Sequence, residues 1–109
     1  MSAAVPAPEI VRLTRQRLLV LMSDRLPEMV RLFDVMHLRL FGSAARDELR
    51  DDSDVDVLVE FNAAATYSRY MGLKFYLEDL LGRRVDLVTT KGLRQEFRLT
   101  VEKEAIFVA

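Results

Sequence analysis

Apolar residues recur at helical spacing between Glu9 and Met22, at Ile10, Leu13, Leu18 and Leu21, and this period predicts an amphipathic helix. A second, shorter helix is predicted over Leu26 to Phe33, beginning near Pro27 because a first helical turn has no use for the missing N–H. The period then drops to two. From Val35 to Phe41, Met36, Leu38 and Leu40 alternate with His37, Arg39 and Phe41 until Gly42 ends the run, which predicts a first strand. Ala44 to Arg50 is expected to be a short helix and Val55 to Phe61 a second strand. After the turn residues Asn62 to Ala65, an apolar stripe of Tyr70, Leu73, Leu77 and Leu80 predicts a helix from Tyr67 to Leu81, closed by Gly82 in the left-handed position. A third strand is expected over Arg84 to Val88, a last helix from about Gly92 to Lys103, and an edge strand in the apolar tail Ala105 to Val108. The Ala- and Pro-rich residues Met1 to Pro8 read as a loose leader. Alternating strands and helices predict an α/β domain, a small sheet flanked by helices, with strand polarity left open.

Composition narrows the function classes. A chain of 109 residues is expected to form one domain, 1–109, in which a helical segment over 1–34 precedes a core over 35–109. A domain of this size buries roughly two-thirds of its unfolded surface. A formal net charge of −1 argues against nucleic acid as a direct ligand held through its phosphates, because counterion release needs a clearly basic surface. The absence of cysteine excludes disulfides and thiolate metal sites and suits a reducing cytoplasm. The run Leu18 to Met22 is too short to cross a bilayer, so no membrane role is expected.

The second strand carries the first chemical signal. In Ser53-Asp54-Val55-Asp56-Val57-Leu58-Val59-Glu60-Phe61, Asp54 and Asp56 fall on one side while Val55, Val57, Val59 and Phe61 line the other. Two carboxylates ~4 Å apart repel by ~4 kcal/mol at an effective dielectric near 20, and a hard divalent cation such as magnesium converts that repulsion into binding. Gly42 and Ser43 lie where the first strand turns into a helix, leaving backbone N–H groups and a hydroxyl for an anion such as phosphate. Asp86 interrupts the apolar run Val85 to Val88, where a lone charge is costly unless paired or bound to metal. Three carboxylates from two strands and a phosphate cradle are the parts that two-metal phosphoryl or nucleotidyl transfer requires.

Together these motifs resemble the minimal nucleotidyltransferase (MNT) domains of the DNA polymerase β superfamily, whose signature is Gly-Ser, ten residues, then Asp-x-Asp. The resemblance runs from Leu38 to the C-terminus, through Leu-Phe-Gly-Ser-Ala-Ala-Arg ending at Arg46, the Asp54 strand, and Gly-Arg-Arg-Val-Asp-Leu-Val-Thr from Gly82. It implies the polymerase β-like fold, a small mixed sheet flanked by helices, and magnesium-dependent transfer of AMP from ATP onto a hydroxyl with loss of pyrophosphate. Carried onto this chain, Asp54 and Asp56 would ligate two magnesium ions, and Asp86 would bind the catalytic one and help deprotonate the acceptor. Gly42 and Ser43 would hold the β and γ phosphates, and Arg46 would neutralise the leaving pyrophosphate. Asp47 departs from the family, where many members carry Gly; it either weakens nucleotide affinity or faces solvent.

Short single-domain members resemble this chain most closely, and many are antitoxins that attach AMP to a tyrosine of a HEPN ribonuclease toxin. The resemblance therefore implies a HEPN-type partner and a hetero-oligomer. Two other readings stand beside it: a catalytically vestigial protein that inhibits a toxin by contact, and a transferase with a small-molecule or RNA acceptor. Plainer roles also exist for single residues. Asp56 could pair with Arg84, Arg46 with Asp51 or Asp52, and His37, the only histidine, reads as structural or surface. Tyr70 is expected in the core.

Overall fold

A computed structural model describes residues 13–108; the expected leader and the predicted helix start at Glu9 lie outside the described residues. Helix α1 (Arg15–Phe33) is capped by Thr14, whose hydroxyl accepts from Arg17 N at 3.2 Å. It runs straight through Pro27, so the two predicted helices are one. An internal proline costs roughly 3 kcal/mol. Leu18 and Met22 before it and Met29 after it are all fully buried, at 0% exposure, in one core. Burial of such side chains stabilises by roughly 1.5–3 kcal/mol each, enough to hold both halves of the helix on the same surface.

Strand β1 (Val35–Phe41) follows, then α2 (Gly42–Ala45), β2 (Val55–Phe61), α3 (Tyr67–Leu81), β3 (Val85–Thr89), α4 (Gln95–Glu104) and β4 (Ile106–Phe107). The first two strands and α3 fall on their predicted bounds, while β3 is displaced by one residue and α4 starts three residues late. The short helix is the larger departure. It was expected over Ala44 to Arg50 but stops at Ala45, because Asp47 adopts a left-handed φ of 60° and closes it with paired bonds, Glu48 N to Ser43 O at 2.8 Å and Asp47 N to Ala44 O at 3.3 Å. Aspartate tolerates this conformation better than most residues. Its carboxylate also accepts from Arg15 N at 2.8 Å, so Asp47 helps to cap α1.

The four strands form a mixed sheet in the order β3-β2-β1-β4. β1 runs antiparallel to both β2 and β4, while β2 and β3 are parallel and joined through α3. One face of the sheet packs Leu38, Leu40, Val55, Val57, Val59, Val85 and Leu87 into the same core as Leu18, Met22 and Met29 of α1 and Leu73, Leu77 and Leu81 of α3. The two helices approach closely where Gly72 lies against the Phe33 ring; a Cβ there would come within 2.7 Å of it. The expected edge strand is present as β4, and Tyr70 is part of the packing, its hydroxyl donating to Leu87 O. Among the described residues, no helix is long and apolar enough to cross a membrane.

If core burial overrides Pro27, then Pro27→Ala should restore a helix hydrogen bond and raise the free energy of unfolding by about 1–3 kcal/mol. Urea denaturation followed by circular dichroism measures this, and a loss of stability would show that the proline relieves strain instead.

Candidate active site

The parallel register of β2 and β3 sets Val55 opposite Val85, Asp56 opposite Asp86 and Val57 opposite Leu87. Since the valines and Leu87 face the core, strand alternation turns both aspartates to the other face. Their carboxyl groups are close enough for the charge of Asp86 to act on Asp56. Burial pushes the Asp56 carboxyl up to about 6, helped by the negative charges of Asp86 and Asp54 and opposed by Arg46. A carboxylate so disfavoured in its ionised form is suited to gain a cationic ligand.

Gly42 lies directly against this pair. Its φ is +63°, and a Cβ built on it would meet Asp56 Oδ2 at 2.2 Å. Any other residue would therefore suffer twice, through a left-handed backbone that costs roughly 1–2 kcal/mol and through collision with the acid. β1 delivers this turn beside Asp56 because the antiparallel register pairs Phe41 with Asp56. Ser43 is half-buried at the first turn of α2. Arg46, at the end of α2, bonds Glu104 at 2.9 Å and Glu48 at 3.3 Å, not Asp51 or Asp52, and both carboxylates raise the pKa of its guanidinium.

Asp54 stands apart from the other two acids. It precedes β2, and its Oδ1 lies 3.3 Å from Arg84 Nε, so the ion pair that the sequence allowed for Asp56 is made by Asp54. Among the described residues no three acidic or histidine side chains converge tightly enough to hold a metal ion. The structure brings together Asp56, Asp86, Gly42 and Arg46, with Asp54 at the margin. The hard oxygen donors of Asp56 and Asp86 nevertheless fit magnesium, and the repulsion seen at Asp56 is what such an ion would relieve.

Two contributors, Arg83 and Glu104, escaped the sequence reading, and Arg84 was assigned there to Asp56 instead of Asp54. Arg83 donates to the carbonyls of Arg50 and, at 2.7 Å, Ser53, and so clamps the loop that delivers Asp54. Arg84 holds Asp54 itself. Glu104 accepts from the Gly42 amide at 2.7 Å. A signal for Glu104 did exist: with Leu40 paired to Ile106, the antiparallel count carries Gly42 to Glu104. His37 sits edge-on to Phe107 at 5.5 Å on the sheet surface, as a structural or surface histidine would.

The raised Asp56 pKa fixes a sign. The folded value near 6 exceeds the unfolded value near 4, so the native state binds this proton more tightly and loses stability as pH rises from about 4 to about 6. Asp56→Asn in metal-free protein should leave Tm nearly unchanged at pH 4.5 and raise it by a few degrees at pH 8. Calorimetry at the two pH values checks this; equal destabilisation at both would mean that neither burial nor its acidic neighbours disfavour the Asp56 carboxylate.

Residues 23–108 match the model of the nucleotidyltransferase domain family. The chain is 36% identical over 96 residues to the protein adenylyltransferase MntA of Thermococcus cleftensis, covering 88% of this chain and 97% of the relative. It is similar to a solved structure provisionally described as a minimal nucleotidyltransferase, with a TM-score of 0.77, 38% identity, and coverage of 88% of this chain and 97% of that one. The fold is also shared with the MNT antitoxin complex of a tri-AMPylated Shewanella oneidensis HEPN toxin, at a TM-score of 0.61 and 18% identity, covering 87% of this chain and 71% of that one. Placed on this fold and carrying the motifs that bring Gly42 against Asp56, the chain belongs to the nucleotidyltransferase domain family.

Proposed function

We propose that this nucleotidyltransferase moves AMP from ATP onto a hydroxyl of a partner protein, a tyrosine of a HEPN-type toxin, and thereby acts as its antitoxin in a cytoplasmic hetero-oligomer. The observation that carries the proposal is the pairing of Asp56 with Asp86 directly over the Gly42 turn. Its support beyond this chain is the protein adenylyltransferase name of the Thermococcus cleftensis relative. A structure of this fold is described as a toxin–antitoxin with AMP-PNP, which motivates ATP as the donor, and the Shewanella oneidensis complex motivates the HEPN partner.

In the reaction the acceptor oxygen attacks the α-phosphorus, the bond from that phosphorus to the β-bridging oxygen breaks, and pyrophosphate leaves. Asp86, the more exposed of the paired acids, faces the incoming hydroxyl and takes its proton. Asp56 and Asp86 would hold magnesium, with Asp54, now paired with Arg84, as the third acid available to it, and the ion would supply positive charge to the phosphates. Gly42 and Ser43 seat the β and γ phosphates, and Arg46 offsets the charge that collects on the leaving group. The overall balance of −1 leaves attraction for the nucleotide to these few groups.

Asp56→Asn and Asp86→Asn should each lower AMP transfer to a co-expressed HEPN partner by at least about 100-fold while the circular dichroism spectrum is unchanged. Transfer is read with α-labelled ATP. Neutralisation of the toxin by both variants at wild-type level would instead establish inhibition by contact.

A further inference from the structure

The cradle assigned to the β and γ phosphates already holds an anion. Glu104 Oε1 accepts from the Gly42 amide at 2.7 Å, and Arg46 Nη1 donates to Glu104 Oε2 at 2.9 Å and Oε1 at 3.2 Å. A carboxylate that takes a backbone N–H at a tight turn and an adjacent guanidinium uses the same donors that a phosphate uses. Its seat is fixed by the fold: Glu104 ends α4, and β4 begins two residues later beside β1 with Ile106 opposite Leu40. The side chain is 25% exposed, so an incoming ligand reaches it.

The first half of α4 is free of the core, whereas Ile106 and Val108 pack just beyond Glu104 and Val108 N donates to Leu38 O at 2.9 Å, so the backbone there is fixed and only the side chain has to move. Val101 is the helix's buried side chain, and every residue from Gln95 to Thr100 is exposed, including Phe97 at 53% and Leu99 at 73%. The backbone under Glu104 is thus held by Val101, Ile106 and Val108, and its carboxylate by the two donors it occupies. A competitor of higher charge exchanges one set of charge-assisted bonds for another.

Resting on the adenylyltransferase reading, we propose that Glu104 is an internal anion seated in the phosphate cradle, which the β and γ phosphates of ATP displace from Gly42 and Arg46. It thereby sets nucleotide affinity. The displaced carboxylate returns as pyrophosphate leaves, which weakens product binding and disfavours free phosphate. AMP, which has no β or γ phosphate, leaves Glu104 in place.

The test compares full-length wild type, Glu104→Gln and Val101→Ala for binding of a non-hydrolysable α,β-methylene ATP analogue, pyrophosphate and AMP by calorimetry with magnesium. Glu104→Gln keeps the shape and removes the charge. It should bind the analogue and pyrophosphate at least several-fold more tightly than wild type, with AMP affinity unchanged. Val101→Ala loosens the same helix without touching the carboxylate and should bind the analogue no more tightly than wild type. Equal or weaker analogue binding by Glu104→Gln overturns the displacement proposal alone. Failure of all three proteins to bind the analogue overturns it together with the adenylyltransferase reading. In wild-type protein, nuclear magnetic resonance gives a second measurement that does not depend on folding of the variant: the analogue should shift both the Gly42 amide and the Glu104 carboxyl carbon, while AMP moves neither. An unmoved pair at saturation contradicts displacement.

Discussion

The structure depends on the parallel pairing of β2 with β3, which forces two acids into one place. Val55, Val57 and Val59 on one strand and Val85 and Leu87 on the other are buried at 3% exposure or less. A slip of one residue would expose all of them to solvent, so the register is strongly determined. The acids inherit that register. Asp56 meets Asp86 because their neighbours are locked in the core, and the hydrophobic energy of the reverse face sustains a repulsion that the carboxylates alone would relieve by separating.

The turn after β1 joins this pair to the rest of the molecule. Gly42 gives Asp56 room, its amide is held by Glu104 at the end of α4, and a few residues on Asp47 caps the start of α1. One short turn therefore links both flanking helices to the acids. The arrangement explains why Asp47 tolerates a left-handed backbone: its carboxylate accepts the Arg15 amide, a first-turn N–H of α1 distinct from the Arg17 amide that Thr14 caps.

Much of this was legible in the sequence. Approximate alternation marked the bounds of β1 and β2, broken by a bulge near Val35 and by buried Leu58, and the stripe ending at Gly82 marked α3. The Gly42, Ser43, Asp54, Asp56 and Asp86 pattern pointed to the family that the comparisons show. What escaped was set by tertiary contacts. Pro27 reads as a helix start locally, yet the core on both sides of it holds one helix. The end of α2 turned on an aspartate adopting a conformation more typical of glycine. The preference of Arg84 for Asp54 over Asp56, and the reach of Glu104 to Gly42, follow from strand pairings whose polarity periodicity does not encode.

Whether the site moves an adenylyl group is decided by the fate of the individual phosphates of ATP. Wild-type protein, the proposed HEPN-type partner and magnesium would be incubated with ATP labelled either at the α or at the γ phosphate, and the partner recovered under denaturing conditions. Adenylyl transfer fixes α label covalently on the partner and releases γ label as pyrophosphate in equal amount. Label from the γ position on the partner, or pyrophosphate without modified partner, would contradict it.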